Sequence, residues 1–240
     1  MDTQTRHALK QDNFVNATTS GIGWLEENRT AVIRGSIVIV VIVGLFFAGL
    51  ITWNNRQTKA QAAFGEAMSI YQTPLAQPDE PAQPGEKTYA SAAERARAAN
   101  PIFVQVADNY SWFKEGANAR YFAGLTYMTM GENSQAETEL KKAADAHDSG
   151  LAALAKMALA GLYQQTGRTQ QAIDEYKQLI ANPAVTVPAS AAKLQLAALY
   201  EGTNPAEAKR LYAEIKDQDK TGAAGQIATQ KLQGGAAPRQ

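Results

Sequence analysis

The sequence predicts an all-α protein in which one N-terminal transmembrane helix is followed by an α-solenoid of helical hairpins. Two observations carry this prediction. Residues 35–53 form a stretch of 19 residues without a charge, and residues 117–212 contain three copies of one helical pattern at intervals close to 36 residues. The first feature is typical of a membrane span, and the second is typical of a repeat protein.

The composition excludes several classes of function. The chain has 240 residues, with 23 basic and 23 acidic side chains and no cysteine. A neutral chain lacks the basic surface that nucleic acid binding requires, so we expect no nucleic acid partner. The absence of cysteine excludes disulfides, a thiol nucleophile, zinc held by thiolates and a lipid-modified cysteine anchor. His7 and His147 are far apart in the sequence, so we predict no catalytic, cofactor-binding or metal-binding residues.

Residues 35–53 are long enough to cross a bilayer as one helix. At about 1.5 Å per residue they reach close to the roughly 30 Å of the hydrocarbon core. An amphipathic core helix would show a polar stripe, and a cleavable signal peptide would have a shorter apolar region. Both alternatives fit less well than an uncleaved anchor. Trp24 and Trp53 lie on either side of the span, where indole rings prefer the headgroup region, and Arg34 and Arg56 lie at its ends.

The basic residues slightly favour one orientation of this span. Residues 1–34 carry four basic side chains, and the segment just after the span carries two, Arg56 and Lys59. The positive-inside rule therefore favours a cytoplasmic tail at residues 1–34, although the counts within about 20 residues of the span are equal.

Residues 54–90 have the pattern of a helical extension followed by a proline-rich linker. Apolar side chains recur at helical spacing as far as Tyr71, and Pro74 ends that pattern. Residues 73–88 hold four of the nine prolines, which predicts an extended loop. Helix is expected to resume near Ser91, with Pro101 marking either a first turn or a kink.

Residues 91–233 contain an internal repeat. One set of positions recurs every 36 residues, at Ala136, Ala172 and Ala208 and again at Leu140, Tyr176 and Tyr212. A small residue followed by tyrosine recurs before each of them, in the pairs Gly124/Tyr127, Ala160/Tyr163 and Ala197/Tyr200. This is the spacing of the tetratricopeptide repeat, in which small residues let two helices approach closely. The predicted fold is therefore a tetratricopeptide-like α-solenoid, whose hairpins bury their apolar faces against one another.

The ends of the repeat helices also follow from the sequence. Gly131 and Gly167 are predicted to end helices in the left-handed conformation, and Asn204-Pro205 is predicted to supply a helix stop and a first-turn proline. The helices before and after the linker are expected to form an irregular first pair. Residues 223–232 are expected to cap the other end, and residues 234–240 to be disordered.

The first helix of each repeat is expected to line a concave, mostly apolar groove for a partner protein. The positions turned that way are Asn118, Tyr121, Leu125, Met128, Leu154, Met157, Gln164, Leu194 and Glu201. The alternative is that these side chains pack against the linker, a terminal helix or a second copy of the chain. A carboxylate clamp is disfavoured, because the positions that would hold its Lys and Asn carry apolar, aromatic or small residues such as Tyr121, Met157 and Gly161.

The layout as a whole resembles one bacterial family. The chain is similar to tetratricopeptide-repeat-like proteins grouped as ancillary subunits of the SecYEG translocon. The shared features are a polar tail, one span, an Ala-rich helix, a proline-rich break and hairpins marked by Gly131/Ala136 and Gly167/Ala172. The repeat domain of that family is also similar to that of a cell-division coordinator. The resemblance covers residues 24–232. The long proline-rich linker and the eroded third turn at residues 202–205 depart from it and leave the number of working repeats open.

This resemblance implies an inner-membrane protein with a cytoplasmic N-terminus and periplasmic repeats, which associates with the Sec translocon, periplasmic chaperones or unfolded secretory segments. It implies no catalytic residues. We therefore expect a non-enzymatic, membrane-anchored adaptor for protein–protein interaction in the bacterial envelope. The alternative is an envelope scaffold for cell division or outer-membrane assembly, which would form a homo-oligomer through the same apolar face.

Overall fold

The computed structural model describes residues 28–76 and 87–234. Within these ranges the regular structure consists of nine α-helices and one isolated bridge between Leu75 and Tyr89. The helices are α1 Arg29–Tyr71, α2 Ala92–Asn109, α3 Lys114–Met130, α4 Asn133–Ala144, α5 Ser149–Gln165, α6 Thr169–Ala181, α7 Ala189–Thr203, α8 Pro205–Gln218 and α9 Ala223–Gly234. Most of the predicted cytoplasmic tail, including His7 and Trp24, most of the predicted disordered C-terminus and part of the linker lie outside the described residues.

The chain divides into two compact units, Met1–Arg56 and Gln57–Gln240. In the first unit, the described residues are the apolar part of α1. This helix is long and apolar enough to cross a membrane, and none of its most apolar stretch is buried against protein. A core helix of a soluble domain would bury that stretch, so the buried-helix alternative does not describe this segment. The hydroxyl of Thr52 donates to the backbone carbonyls of Ala48 and Gly49, which satisfies it within the helix as an apolar environment requires.

The second unit is built from helices that pack in sequence order. Each helix from α2 to α9 packs against the next. We call α3, α5 and α7 the first helices of the three repeats, and α4, α6 and α8 the second helices. The main core cluster runs through these elements and includes the predicted Ala136, Ala172 and Ala208. The structure is therefore an all-α array of sequential hairpins, as the sequence predicts.

Backbone geometry explains where the hairpins turn. Gly131 has φ of 78° and Gly167 has φ of 74°, both in the left-handed region. At the first turn the amide of Glu132 donates to the Tyr127 carbonyl at 2.9 Å, and at the second the amide of Arg168 donates to the Tyr163 carbonyl at 2.7 Å. These bonds satisfy carbonyls that a helix end leaves free, so the predicted glycine roles are confirmed.

The third turn uses different chemistry. The side chain of Asn204 accepts from the amide of Glu207 at 3.3 Å, and Pro205 is the first residue of α8. The predicted helix stop and first-turn proline are confirmed, because a proline at the first helical position loses no hydrogen bond.

The end of α1 joins α2 and α3 in a separate aromatic cluster. Phe103 stacks on Phe122 with ring centroids 5.4 Å apart, and Tyr71 meets Phe122 edge-on at the same distance. Buried Asn100 of α2 donates to the hydroxyl of Thr126 in α3 at 2.9 Å. Pro101 lies in the interior of α2, which begins at Ala92 after the Ser91 cap, so it does not mark a first turn.

Candidate partner-binding surface on the first helices

The predicted groove residues all lie on the first helices, and most of them are half-buried. Asn118, Tyr121, Leu125 and Met128 lie on α3, Leu154, Met157 and Gln164 on α5, and Leu194 and Glu201 on α7. Gln164 and Glu201 are exposed, and the other seven are partly covered. Half-burial means that each apolar side chain is partly covered by the protein and partly exposed to solvent.

The structure brings the α3 and α5 parts of this set together. The two helices contact each other directly as well as through the intervening α4. Tyr121, Met128, Leu154, Met157 and Leu194 all pack against the main core cluster from outside. Burial raises the pKa of the Tyr121 hydroxyl, with a smaller contribution from neighbouring Tyr71. The exposed part of this surface therefore combines flexible Met and Leu side chains with an amphipathic Tyr.

Two glycines on these helices have opposite surroundings. A Cβ on Gly124 would lie 2.6 Å from the Cγ of Leu140, so Gly124 permits the close approach of α3 and α4. A Cβ on Gly161 would meet no atom within 4 Å. Gly161 therefore leaves open space on α5, between the predicted contact residues Met157 and Gln164 in the sequence.

The two exposed residues of the set, Gln164 and Glu201, bind neighbouring helices. The hydroxyl of Tyr212 donates to Glu201 at 2.7 Å, and Lys231 of α9 lies 3.0 Å from the same carboxylate. The Tyr212 hydrogen bond, followed by that from Lys231, lowers the pKa of Glu201. In the preceding repeat, the hydroxyl of Tyr176 donates to Gln164 at 3.5 Å. These positions thus hold a first helix to its second helix, a role the repeat spacing did not reveal because it depends on side-chain reach across the hairpin.

Two clefts adjoin the ends of this set. Asn118 lines a cleft of about 540 Å³ at the loops between α2 and α3 and between α4 and α5. Glu201 lines one of about 510 Å³ with Pro205, Tyr212 and Lys231. The sequence pattern did not indicate either cleft, since both are formed by residues far apart in the chain.

In the loop between α4 and α5, Asp148 has a structural role. Asp148 caps α5 by accepting from the amides of Gly150 at 2.8 Å and Leu151 at 3.0 Å. Within residues 28–76 and 87–234, no group of three His, Asp or Glu side chains is arranged to hold a metal ion. Asp148 therefore serves as a helix cap in this loop.

Comparison with known proteins agrees with this architecture. Residues 23–234 match the model of the tetratricopeptide repeat-like domain. No curated protein is similar enough to this chain to be matched. A crystal structure of nearly identical tetratricopeptide-like repeats, from a Podospora anserina protein described as a kinesin light chain, is similar with a TM-score of 0.54. It is 16% identical and covers 73% of this chain and 84% of that one, which shows the shared fold.

The family match spans nearly all of the chain and includes every residue of the predicted surface. Domains of this kind bind other proteins through stacked helical hairpins and are typically non-catalytic, and no enzyme family matches. One conclusion follows from the repeat spacing, the left-handed turn glycines, the sequential packing of the hairpins and the family match over residues 23–234. The chain belongs to the tetratricopeptide repeat-like domain family.

Proposed function

We propose that this protein is a non-enzymatic adaptor, anchored in the bacterial inner membrane by residues 35–53, whose first helices bind partner proteins in the periplasm. The observation that carries the proposal is the row of half-buried apolar side chains on α3, α5 and α7, with open space beside Gly161. Such a surface favours apolar segments of varied sequence over a single charged motif, because Met and Leu adapt to different shapes.

The partners that this chemistry fits are unfolded secretory segments, the Sec translocon that delivers them and the periplasmic chaperones that receive them. An emerging secretory chain exposes apolar residues before it folds, and an anchored adaptor would be held close to its point of exit. The resemblance to ancillary translocon subunits supports the same assignment. Met157 and Leu194 are central to the proposed contact.

Crosslinking in native membranes tests the proposal. A photoreactive amino acid in place of Met157 or Leu194 should capture a translocon subunit, a periplasmic chaperone or a secretory chain. The matched controls are Gln171 and Lys177, which are exposed on the second helix α6. They should give little or none of the same adducts.

Three outcomes would overturn the adaptor proposal. Capture of soluble cytosolic proteins alone would contradict the assigned compartment. Equal adducts from the α6 controls would contradict the assigned surface. An adduct with a second copy of the chain, reduced by Met157→Glu, would favour the self-associating scaffold instead.

The orientation has its own experiment. Protease added to intact spheroplasts should digest the repeats and spare a fragment that contains residues 1–34. Protection of the repeats would place them in the cytoplasm and contradict the proposed topology.

A further inference from the structure

Two apolar side chains in the second unit are far more exposed than any other large apolar side chain described there. Trp112 is 87% exposed and Val185 is 100% exposed, whereas the next in order, Ile227 and Leu75, are 45% and 39% exposed. An exposed tryptophan is costly in water, because its large ring surface stays hydrated. We therefore expect another molecule or surface to cover these two side chains.

Both side chains lie in loops that lead into the first helices. Trp112 lies between α2 and α3, and Val185 lies between α6 and α7. The loop between α4 and α5 and the first turn of α5 link them in space. Residues of that loop share a cleft with Trp112, and the hydroxyl of Thr186 in the α6–α7 loop donates to the carbonyl of Gly150, the second residue of α5, at 2.7 Å. We call residues 110–113, 145–148 and 182–188 together the loop edge.

The second unit also begins at the loop edge. Arg95, near the start of α2, donates to the carbonyl of Thr73 at 2.8 Å, so α2 runs antiparallel to residues 57–71. Arg120, early in α3, donates to the carbonyl of Ala107 late in α2, so α3 runs antiparallel to α2. Residues 57–71 are therefore parallel to α3. Gln57 lies at the same edge as the α2–α3 loop that carries Trp112.

The length of the chain brings this edge within reach of a membrane. The apolar stretch ends at Trp53, and Gln57 follows after three residues. Such a connection reaches at most about 14 Å, whatever angle it takes. If residues 35–53 span the bilayer, the lipid headgroups are then accessible to the edge at which Gln57 lies.

The chemistry of the loop edge fits a lipid interface better than a charged protein. Lys114, Arg120 and Lys142 line the same cleft as Asp145 and Asp148. Arg120 and Lys142 also pair with Glu139, so the cleft carries charges of both signs and no separate basic patch. The described helix turns at the opposite edge carry exposed polar residues such as Glu132 and Asn204. Tryptophan is enriched at the membrane–water interface, because its ring is apolar and its indole N–H is polar.

We propose that the loop edge is a second membrane contact, in which Trp112 and Val185 insert into the headgroup region of the bilayer. The partner is a phospholipid surface without a required headgroup charge. The inference rests on the membrane anchor of the proposed function and is independent of the partner surface on the first helices. Such contact would hold the repeats against the membrane and fix the direction in which the first helices face.

Tryptophan quenching by brominated phosphatidylcholine tests the contact in the full chain. The substitutions Trp24→Phe and Trp53→Phe leave Trp112 as the one fluorescent tryptophan of the sequence. In vesicles of brominated phosphatidylcholine, its emission should be quenched several-fold more than in vesicles of the unbrominated lipid. The matched control moves the reporter to the opposite edge by combining Trp112→Phe with Glu132→Trp in the same background. That reporter should be quenched little.

The same series separates this inference from the anchor itself. A variant that retains Trp53 and carries Trp24→Phe and Trp112→Phe should be strongly quenched. Strong quenching of Trp53 without quenching of Trp112 would contradict the loop-edge contact and would still support the membrane anchor. Equal quenching of Trp112 and the Glu132→Trp reporter would also overturn it. Absence of quenching at Trp53 would contradict both the membrane anchor and the loop-edge contact. The crosslinking experiment at Met157 would still test the partner surface independently.

Discussion

At the scale of single residues, the small positions of the repeat differ in what they do. Gly124 lies where α3 meets α4, and any side chain there would collide with fully buried Leu140. Gly161 lies on the same kind of helix with open space around it. The repeat pattern assigned Gly124 to the contact between helices and Gly161 to the groove face, and the packing around them gives opposite expectations for their replacement.

Alanine substitution at these two positions should therefore change stability in opposite directions. Gly124→Ala places a Cβ 2.6 Å from the Leu140 side chain and should lower the free energy of unfolding by about 1–3 kcal/mol. Gly161→Ala adds helix propensity without a clash and should raise it by about 0.5–1 kcal/mol. Urea unfolding of the full chain in detergent, followed by circular dichroism, measures both. Two changes of the same sign would contradict the assigned packing of α3 on α4.

At the scale of elements, ion pairs tie neighbouring repeats together. Glu137 of α4 accepts from Lys141 at 2.7 Å and from Arg168 in the α5–α6 turn at 2.6 Å. The guanidinium of Arg168 also lies over the ring of Tyr163, 4.5 Å from its centroid. Arg120 makes a similar link, because it pairs with Glu139 of α4 at 2.9 Å while it donates to α2. Glu137 and Glu139 are alternate residues that point to different partners, which is how one helix binds on two sides.

The ion pairs of Glu137 predict that the free energy of unfolding depends on pH. Hydrogen bonds from Lys141 and then Arg168 lower the pKa of Glu137 from 4.5 to about 2 against the opposing effect of burial. A lowered pKa means that the carboxylate stabilises the fold above pH 4.5 and that this contribution is lost as the pH falls toward 2. Glu137→Gln should therefore cost about 1–2 kcal/mol at pH 6, and the difference from the wild type should disappear near pH 2.

Urea unfolding at a series of pH values measures this dependence. Glu66→Gln, which removes an exposed carboxylate from α1, is the control for the loss of a negative charge. A difference between Glu137→Gln and the wild type that stays constant from pH 6 to pH 2 would contradict the ion-pair assignment.

At the scale of the whole molecule, the second unit is a series of contacts between neighbouring helices. Each helix packs mainly on the helices next to it, and α9 covers α8 and touches α7. Ala228 of α9 is fully buried in the main core cluster, so α9 acts as the C-terminal cap that the sequence predicted at residues 223–232. In such an array, loss of a terminal element should loosen its neighbour first.

Ala228→Asp tests this local coupling. A carboxylate forced into the buried site costs about 3 kcal/mol or more, which should detach α9 and speed amide hydrogen exchange in α8 and α7. Exchange in α2 and α3 should change little. The control is Gln226→Asp, which adds the same charge at an exposed position of the same helix. If amide hydrogen exchange became equally faster in all helices from α2 to α8, the array would unfold as one unit, which would contradict the coupling between neighbouring helices alone.

The sequence by itself determined the features that repeat or that depend on local chemistry. The left-handed Gly131 and Gly167 and the capping Asn204-Pro205 act within a few residues of the chain, so local pattern predicts them. The apolar stretch at residues 35–53 and the 36-residue interval are visible by comparing positions along the sequence, without knowledge of packing. The family could be predicted for the same reason, since repeats copy one local pattern three times.

Only the tertiary structure decided how side chains meet across repeats. Glu201 and Gln164 were expected to face a partner, and they accept tyrosine hydroxyls from the next helix. The Glu137–Arg168 pair and the exposure of Trp112 and Val185 on one edge also depend on three-dimensional packing. The physical reason is that these features involve residues on different helices and loops, where helix packing, rather than the local pattern, sets the distances.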